Sequence, residues 1–214
     1  MYARTHPRSI VAPCAKGIVG MSSTEGSGLI LASGSRGRRW LLEEAGYSFR
    51  VRPSNVDEPT GEGVSDIREF VHHVAWLKAA AVAREISDGI IIAADTVGWI
   101  DGQVIGKPED EDDARRILTT LGGRDHELWS GVILWRKPDN LQLAWQECSK
   151  VHFRKLTSDE METYLQTRQW VGCSGAYAVK GTEDPYVKIV EGSLSNVVGL
   201  PMETLAEVLP LLEK

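Results

Sequence analysis

Leu29-Ile30-Leu31-Ala32-Ser33-Gly34-Ser35-Arg36-Gly37-Arg38-Arg39-Trp40-Leu41-Leu42 reads as a short apolar strand, a turn of small residues and a helix opened by arginines. Ser33, Gly34 and Ser35 have little bulk, so their backbone amides can approach a ligand closely. The helix that follows presents its unpaired N–H groups and the positive end of its dipole at the same point. Three arginines crowd that point in a chain of formal net charge −6. The construction suits a polyanion, most simply a phosphate chain. The plainer alternative is a capped helix start with solvated arginines.

Outward from this stretch, Leu41, Leu42 and Ala45 keep helical spacing up to Gly46, and Tyr47 to Val51 alternates as a strand. Pro53 to Gly63 is a loop holding Asp57-Glu58. Ile67, Phe70, Val71, Val74, Leu77 and Val82 then form the buried stripe of a long helix. Lys78 lies near that stripe and is expected to snorkel outward. Gly89 to Ala94 is an apolar run expected of a central strand covered on both faces, ending at Asp95-Thr96. Val97 to Ile100 continues extended, Asp101-Gly102 signals a hairpin, and a helix with an acidic first turn follows Gly106-Lys107-Pro108. Two long strands, His126 to Trp135 and about Leu141 to Leu156, precede a capping box at Thr157–Glu160. Tyr186 to Val190 is a strand, and Ser195 to Pro201 is expected as a loop into the last helix. The pattern is α/β with a mixed sheet.

Hydrophobic content of 42% and charged content of 25% are ordinary for a globular chain, and 214 residues suffice for one substantial domain. The acidic balance argues against nonspecific nucleic-acid binding. No stretch approaches the roughly 18 apolar residues that span a bilayer. Cys14, Cys148 and Cys173 show no metal-ligand spacing, which points to reduced thiols in a cytoplasmic protein. Residues 1–28 lack a sustained period and read as a disordered leader, or as an extension upstream of a start at Met21; residues 29–214 read as the folded domain.

Asp95 is the sharpest single candidate. A carboxylate at the carboxyl end of a buried strand either binds a divalent cation, orients a water as general base, or merely caps the turn at Thr96. Lys107 and Lys180 are either solvated or aimed into the same cleft, and Asp57-Glu58 are either ligands or loop residues. His126, His152 and the His72-His73 pair are structural or exposed. Ser33 and Ser35 lack a His-Asp partner set, which disfavours serine-hydrolase chemistry. Together, a cationic loop, acids suited to a divalent metal and lysines from separate segments are the parts of phosphoryl chemistry. Neither a P-loop nor a dinucleotide-binding glycine motif is present.

Leu31-Ala32-Ser33-Gly34-Ser35 with Arg38, Lys78-Ala79, Ala94-Asp95-Thr96-Val97, Gly106-Lys107-Pro108, Ser174 to Gly181 and Asn196 to Pro201 occur in the order found in the Maf family, which the chain resembles from about Leu29 to Leu212. The resemblance implies a Maf/inosine-triphosphatase-like mixed sheet with flanking helices, two lobes around a deep cleft, often as a homodimer. It implies a nucleoside-triphosphate pyrophosphatase that uses Mg²⁺ or Mn²⁺, and an association with septum formation and nucleotide housekeeping. Carried over by position, Ser33 and Arg38 match the family's phosphate-loop serine and arginine, Glu58 its acidic loop position, Lys78 its helix lysine, Asp95 its catalytic acid and Lys107 its cleft lysine. Ser35, Arg36 and Lys180 are expected to join Ser33 and Arg38 in binding substrate, and Lys78 and Lys107 to act with Asp95 in catalysis. Glu58 and Asp95 hold the metal, with the role of Asp95 as base or ligand left open. Two positions depart from the family pattern. Gly37 replaces an arginine or tryptophan in the loop, and Lys180 replaces the glutamine of dTTP/UTP-type members, although the Gly-Ala-Tyr context favours that type. A regulatory nucleotide-binding module with weakened catalysis is the second expectation, motivated by these departures.

Overall fold

The computed structural model describes residues 28–179, 181 and 183–213. The expected leader (except Gly28) and Lys180 lie outside the described residues. A seven-stranded mixed sheet runs in the order β2 (Phe49–Val51), β1 (Leu29–Leu31), β3 (Gly89–Ile100), β5 (Arg124–Lys137), β6 (Gln142–Phe153) and β7 (Val187–Glu191), with β4 (Gln103–Ile105) paired to the far part of β3. β1 is parallel to both its neighbours; the β3–β5, β5–β6, β6–β7 and β3–β4 pairs are antiparallel. The helices are α1 (Arg36–Glu44), α2 (Ile67–Ala83), α3 (Glu111–Leu121), α4 (Ser158–Gln166), α5 (Leu194–Val198) and α6 (Met202–Val208).

Alternation along β3 explains the layering. Ile90, Ile92 and Ala94 pack with Leu41 and Leu42 of α1 and with Leu205 of α6. Ile91 and Ala93 pack with Ala75, Ala79 and Val82 of α2 on the opposite face. The strand is thus covered on both faces, as its unbroken apolar run requires. A separate cluster joins α3 and α4 to the ends of β5 and β6 through Leu118, Leu121, Phe153 and Leu165.

The extended stretch expected over Val97 to Ile100 forms one strand with the apolar run before it, because β5 pairs with β3 residue for residue and β4 folds back on its far half. Two expectations need correction. The stretch Ser195 to Pro201 is not simply a loop: Ser193 Oγ accepts from Asn196 N–H at 3.1 Å and caps α5 over Leu194–Val198. Lys78 does not snorkel outward; it is buried. Gly131 on β5, opposite Asp95 in register, prepares that burial. A Cβ there would overlap the Val71 carbonyl, so only glycine lets α2 lie this close to the sheet.

Candidate active site

The site forms where β1 stops and β3 does not. β1 ends at Leu31, opposite Ile92, while β3 runs on through Asp95 and Thr96. The turn Ala32–Ser35 and the start of α1 fill the space that β1 leaves beside β3, a crevice at a strand's carboxyl end. Ser35 caps α1 by accepting from Arg38 N–H, and Ser33 Oγ accepts from Ser35 N–H at 3.2 Å. Both serines therefore shape the loop, besides lining a cavity of about 750 Å³ that opens there.

Pleating sends neighbouring side chains of β3 to opposite faces. Asp95 points to the α2 side, where Lys78 Nζ donates to its Oδ1 at 2.7 Å. The same ammonium lies 3.0 Å from Glu58 Oε1, and Glu58 Oε2 lies 3.8 Å from Lys107 Nζ. Lys78 and Asp95 are both buried, so each supplies the counter-charge the other needs away from water. This pairing overrides the snorkelling tendency.

Thr96 points to the α1 side. Its Oγ1 lies 2.8 Å from Ser130 Oγ and receives Arg38 Nη2 at 3.3 Å. Arg38 also donates from Nη1 to Ser33 Oγ at 3.1 Å and from Nε to the Gly199 carbonyl at 2.7 Å. Burial pushes the guanidinium below the ordinary arginine range, against the opposing pull of Asp95 and Glu58. Arg38 is thus a buried strut joining the loop, β3 and the turn after α5. Three of its five N–H donors are taken.

The cavity brings together most of the residues expected from sequence. Ser33, Ser35, Arg36, Arg38, Glu58, Lys78, Asp95 and Lys107 all line it. Asp57 is exposed and absent from the lining. Gly37 packs onto α5, where a Cβ would lie 3.0 Å from Val198 Cγ1; Arg36 and Arg39 are both exposed at the helix start, and of the two Arg36 lines the cavity. Sequence reasoning assigned no role to Thr96, to the Gly199 carbonyl or to Tyr177, which also lines the cavity. Thr96 carries a signal in retrospect, since it follows Asp95 in a strand and must face the opposite layer.

Among the described residues no group of three or more His, Cys, Asp or Glu side chains is placed to hold a metal. Glu58 and Asp95 alone are a pair of hard oxygen donors around one ammonium. That set suits Mg²⁺, which takes one or two carboxylates and completes its shell with phosphate oxygens and waters.

A family model described as "Maf-like protein" matches residues 28–212. The chain belongs to the Maf family. Among its Maf relatives, a dTTP/UTP pyrophosphatase of Pelotomaculum thermopropionicum is 39% identical over 181 residues, covering 85% of this chain and 94% of the relative. A dTTP/UTP pyrophosphatase of Rhodopirellula baltica is 38% identical over 196 residues, covering 91% and 86%. The structure of a HAM1 protein from Coxiella burnetii superposes on this Maf chain with a TM-score of 0.52 at 14% identity, covering 86% of this chain and 99% of the other. That likeness bears out the expected fold. No described helix is long and apolar enough to cross a membrane.

Proposed function

We propose that this chain is a nucleoside-triphosphate pyrophosphatase, hydrolysing a (d)NTP to the (d)NMP and pyrophosphate, with dTTP and UTP the first substrates to test because its relatives carry those names. One observation carries the reading: Lys78 Nζ bridges Asp95 and Glu58 in a cavity shared with Lys107 and the small-residue loop at the start of α1. Water attacks the α-phosphorus, the bond to the α–β bridging oxygen breaks, and pyrophosphate leaves with the bond's electron pair. Loop amides, Arg36 and Lys107 counter the phosphate charge, and Arg38 holds the loop in place. Asp95 either accepts the water's proton or serves as a metal ligand. Glu58 and Asp95 would hold Mg²⁺ or Mn²⁺, which when bound would neutralise charge on the phosphate oxygens.

The test is release of pyrophosphate and nucleoside monophosphate across a nucleotide panel with either metal. Turnover should fall by at least about 100-fold in Asp95→Asn without loss of fold. Inorganic phosphate as first product would instead indicate a phosphomonoesterase. Tight nucleotide binding without any hydrolysis would leave the regulatory module, and either result overturns the proposal.

A further inference from the structure

The cavity wall away from the cations is built by a short segment under strain. Gly175 and Ala176 both adopt left-handed backbone, at φ 78° and 60°. For alanine such a conformation costs on the order of 1 kcal/mol or more and persists only where neighbours impose it. Four bonds do so. Gly175 N–H donates to the Gly106 carbonyl at 3.0 Å, beside Lys107, and Ser174 Oγ donates to the Thr96 carbonyl at 3.0 Å. Ala178 N–H reaches Tyr164 Oη at 3.4 Å. The fourth joins Tyr177 Oη to His126 Nε2 of β5 at 2.7 Å.

That last pair is buried, with His126 3% and Tyr177 6% exposed. The rings meet edge to face, and Phe153 backs the tyrosine with ring centroids 5.3 Å apart. With its hydroxyl committed to His126 and its ring packed on Phe153, Tyr177 is held in place where it lines the cavity. With Leu128, Ala178 and Val179 it makes an apolar stretch of lining, suited to a base and sugar and not to phosphates. Burial pushes the His126 imidazole down to about 4, so the bond is made by the neutral ring.

We propose that His126 is a positioning residue for the nucleoside end of the site. Through its bond to Tyr177 it fixes the wall against which the base lies, and so tunes which bases bind. The inference rests on the nucleotide reading given above but is testable by binding alone. The probes are nucleoside triphosphates with a methylene bridge between the α- and β-phosphorus, titrated by calorimetry, with inorganic tripolyphosphate as a phosphate-only control. Tyr177→Phe and His126→Leu should each weaken binding of the favoured nucleotide on the order of tenfold and narrow the preference between pyrimidine and purine. Tripolyphosphate affinity should stay within about threefold, and His126→Gln, which keeps a polar nitrogen in reach of Tyr177, should restore most of the binding.

Should His126→Leu fail to fold, Tyr177→Phe still decides, because it removes one oxygen and keeps the ring. Unchanged nucleotide affinity and base preference in folded Tyr177→Phe would overturn the inference. So would an equal loss for tripolyphosphate, which would mean general damage. If the unaltered protein binds the analogues yet hydrolyses no nucleotide, the proposed activity fails while the role of His126 is still measured.

Discussion

An ammonium or a carboxylate alone in the interior would cost several kcal/mol, and Lys78 and Asp95 avoid that cost only by meeting each other. Removing both partners should therefore cost less than the sum of removing each alone. Lys78→Met is expected to destabilise the fold by about 3 kcal/mol in urea denaturation, because Asp95 is left without its closest counter-charge. In the double variant with Asp95→Asn the loss should be at least about 1 kcal/mol smaller than the sum of the single losses; additive losses would show that the pair is not coupled. A second consequence concerns acid. His126 is pushed from 6.5 to about 4 in the folded chain, chiefly by burial, against the opposing pull of Asp125 and with smaller downward pushes from His152 and Arg124. The unfolded chain thus takes up this proton first, so the contribution is fully present above pH 6.5 and is lost as pH falls toward 4. Its size is roughly 3 kcal/mol, and His126→Gln should flatten stability over that window in denaturation curves taken at successive pH values. At this scale the sequence is partly legible. Asp95 stands out because a carboxylate interrupts an apolar run, whereas the burial of Lys78 depends on a partner seventeen residues away in another element.

Elements whose boundaries depend on local chemistry are the ones readable from sequence. The capping box predicted at Thr157–Glu160 is present, with Thr157 N–H donating to Glu160 Oε2 at 2.8 Å. The Asp101-Gly102 hairpin is present too, with both residues at positive φ as a tight turn demands. The extended run past Asp95 is readable, but that it forms a single strand with Gly89 to Ala94 is less legible, since that depends on β5 and β4 supplying partners. So is α5, a single capped turn whose buried Asn196 donates from Nδ2 to Ser149 Oγ at 2.9 Å and to the Leu128 carbonyl at 3.3 Å. The approach of α2 to the sheet is an element-scale property with an element-scale test. Gly131→Ala places a methyl group into the Val71 backbone and must push the helix outward. A loss of about 2 kcal/mol in denaturation is expected, with weakened turnover, since Lys78 rides on the displaced helix. Wild-type stability in that variant would show that the helix moves freely against β5.

Across the whole molecule, alternating strands and helices make the α/β class and the mixed sheet readable, but not the strand order. That β5 lies beside β3, and β1 between β2 and β3, is decided by long-range packing that no single stretch encodes. The site inherits this: its lining comes from the β1–α1 turn, the loop before α2, α2 itself, β3, the segment after β4, β5, the Gln169–Val179 region and α5. A ligand that touches so many separate segments should stabilise the chain as a unit. At one hundred times its Kd, a non-hydrolysable nucleoside triphosphate contributes about 2.7 kcal/mol, or a rise of roughly 5–10 °C in Tm for a chain of this size. Tripolyphosphate compared at the same molar concentration should raise Tm less, because it can engage the loop, Lys78 and Lys107 but leaves the wall at Tyr177 untouched. Added salt should weaken its effect proportionately more than that of the nucleotide, as its binding is charge attraction at a partly exposed site. Equal shifts for the two ligands at every salt concentration would mean that the apolar wall takes no part in binding.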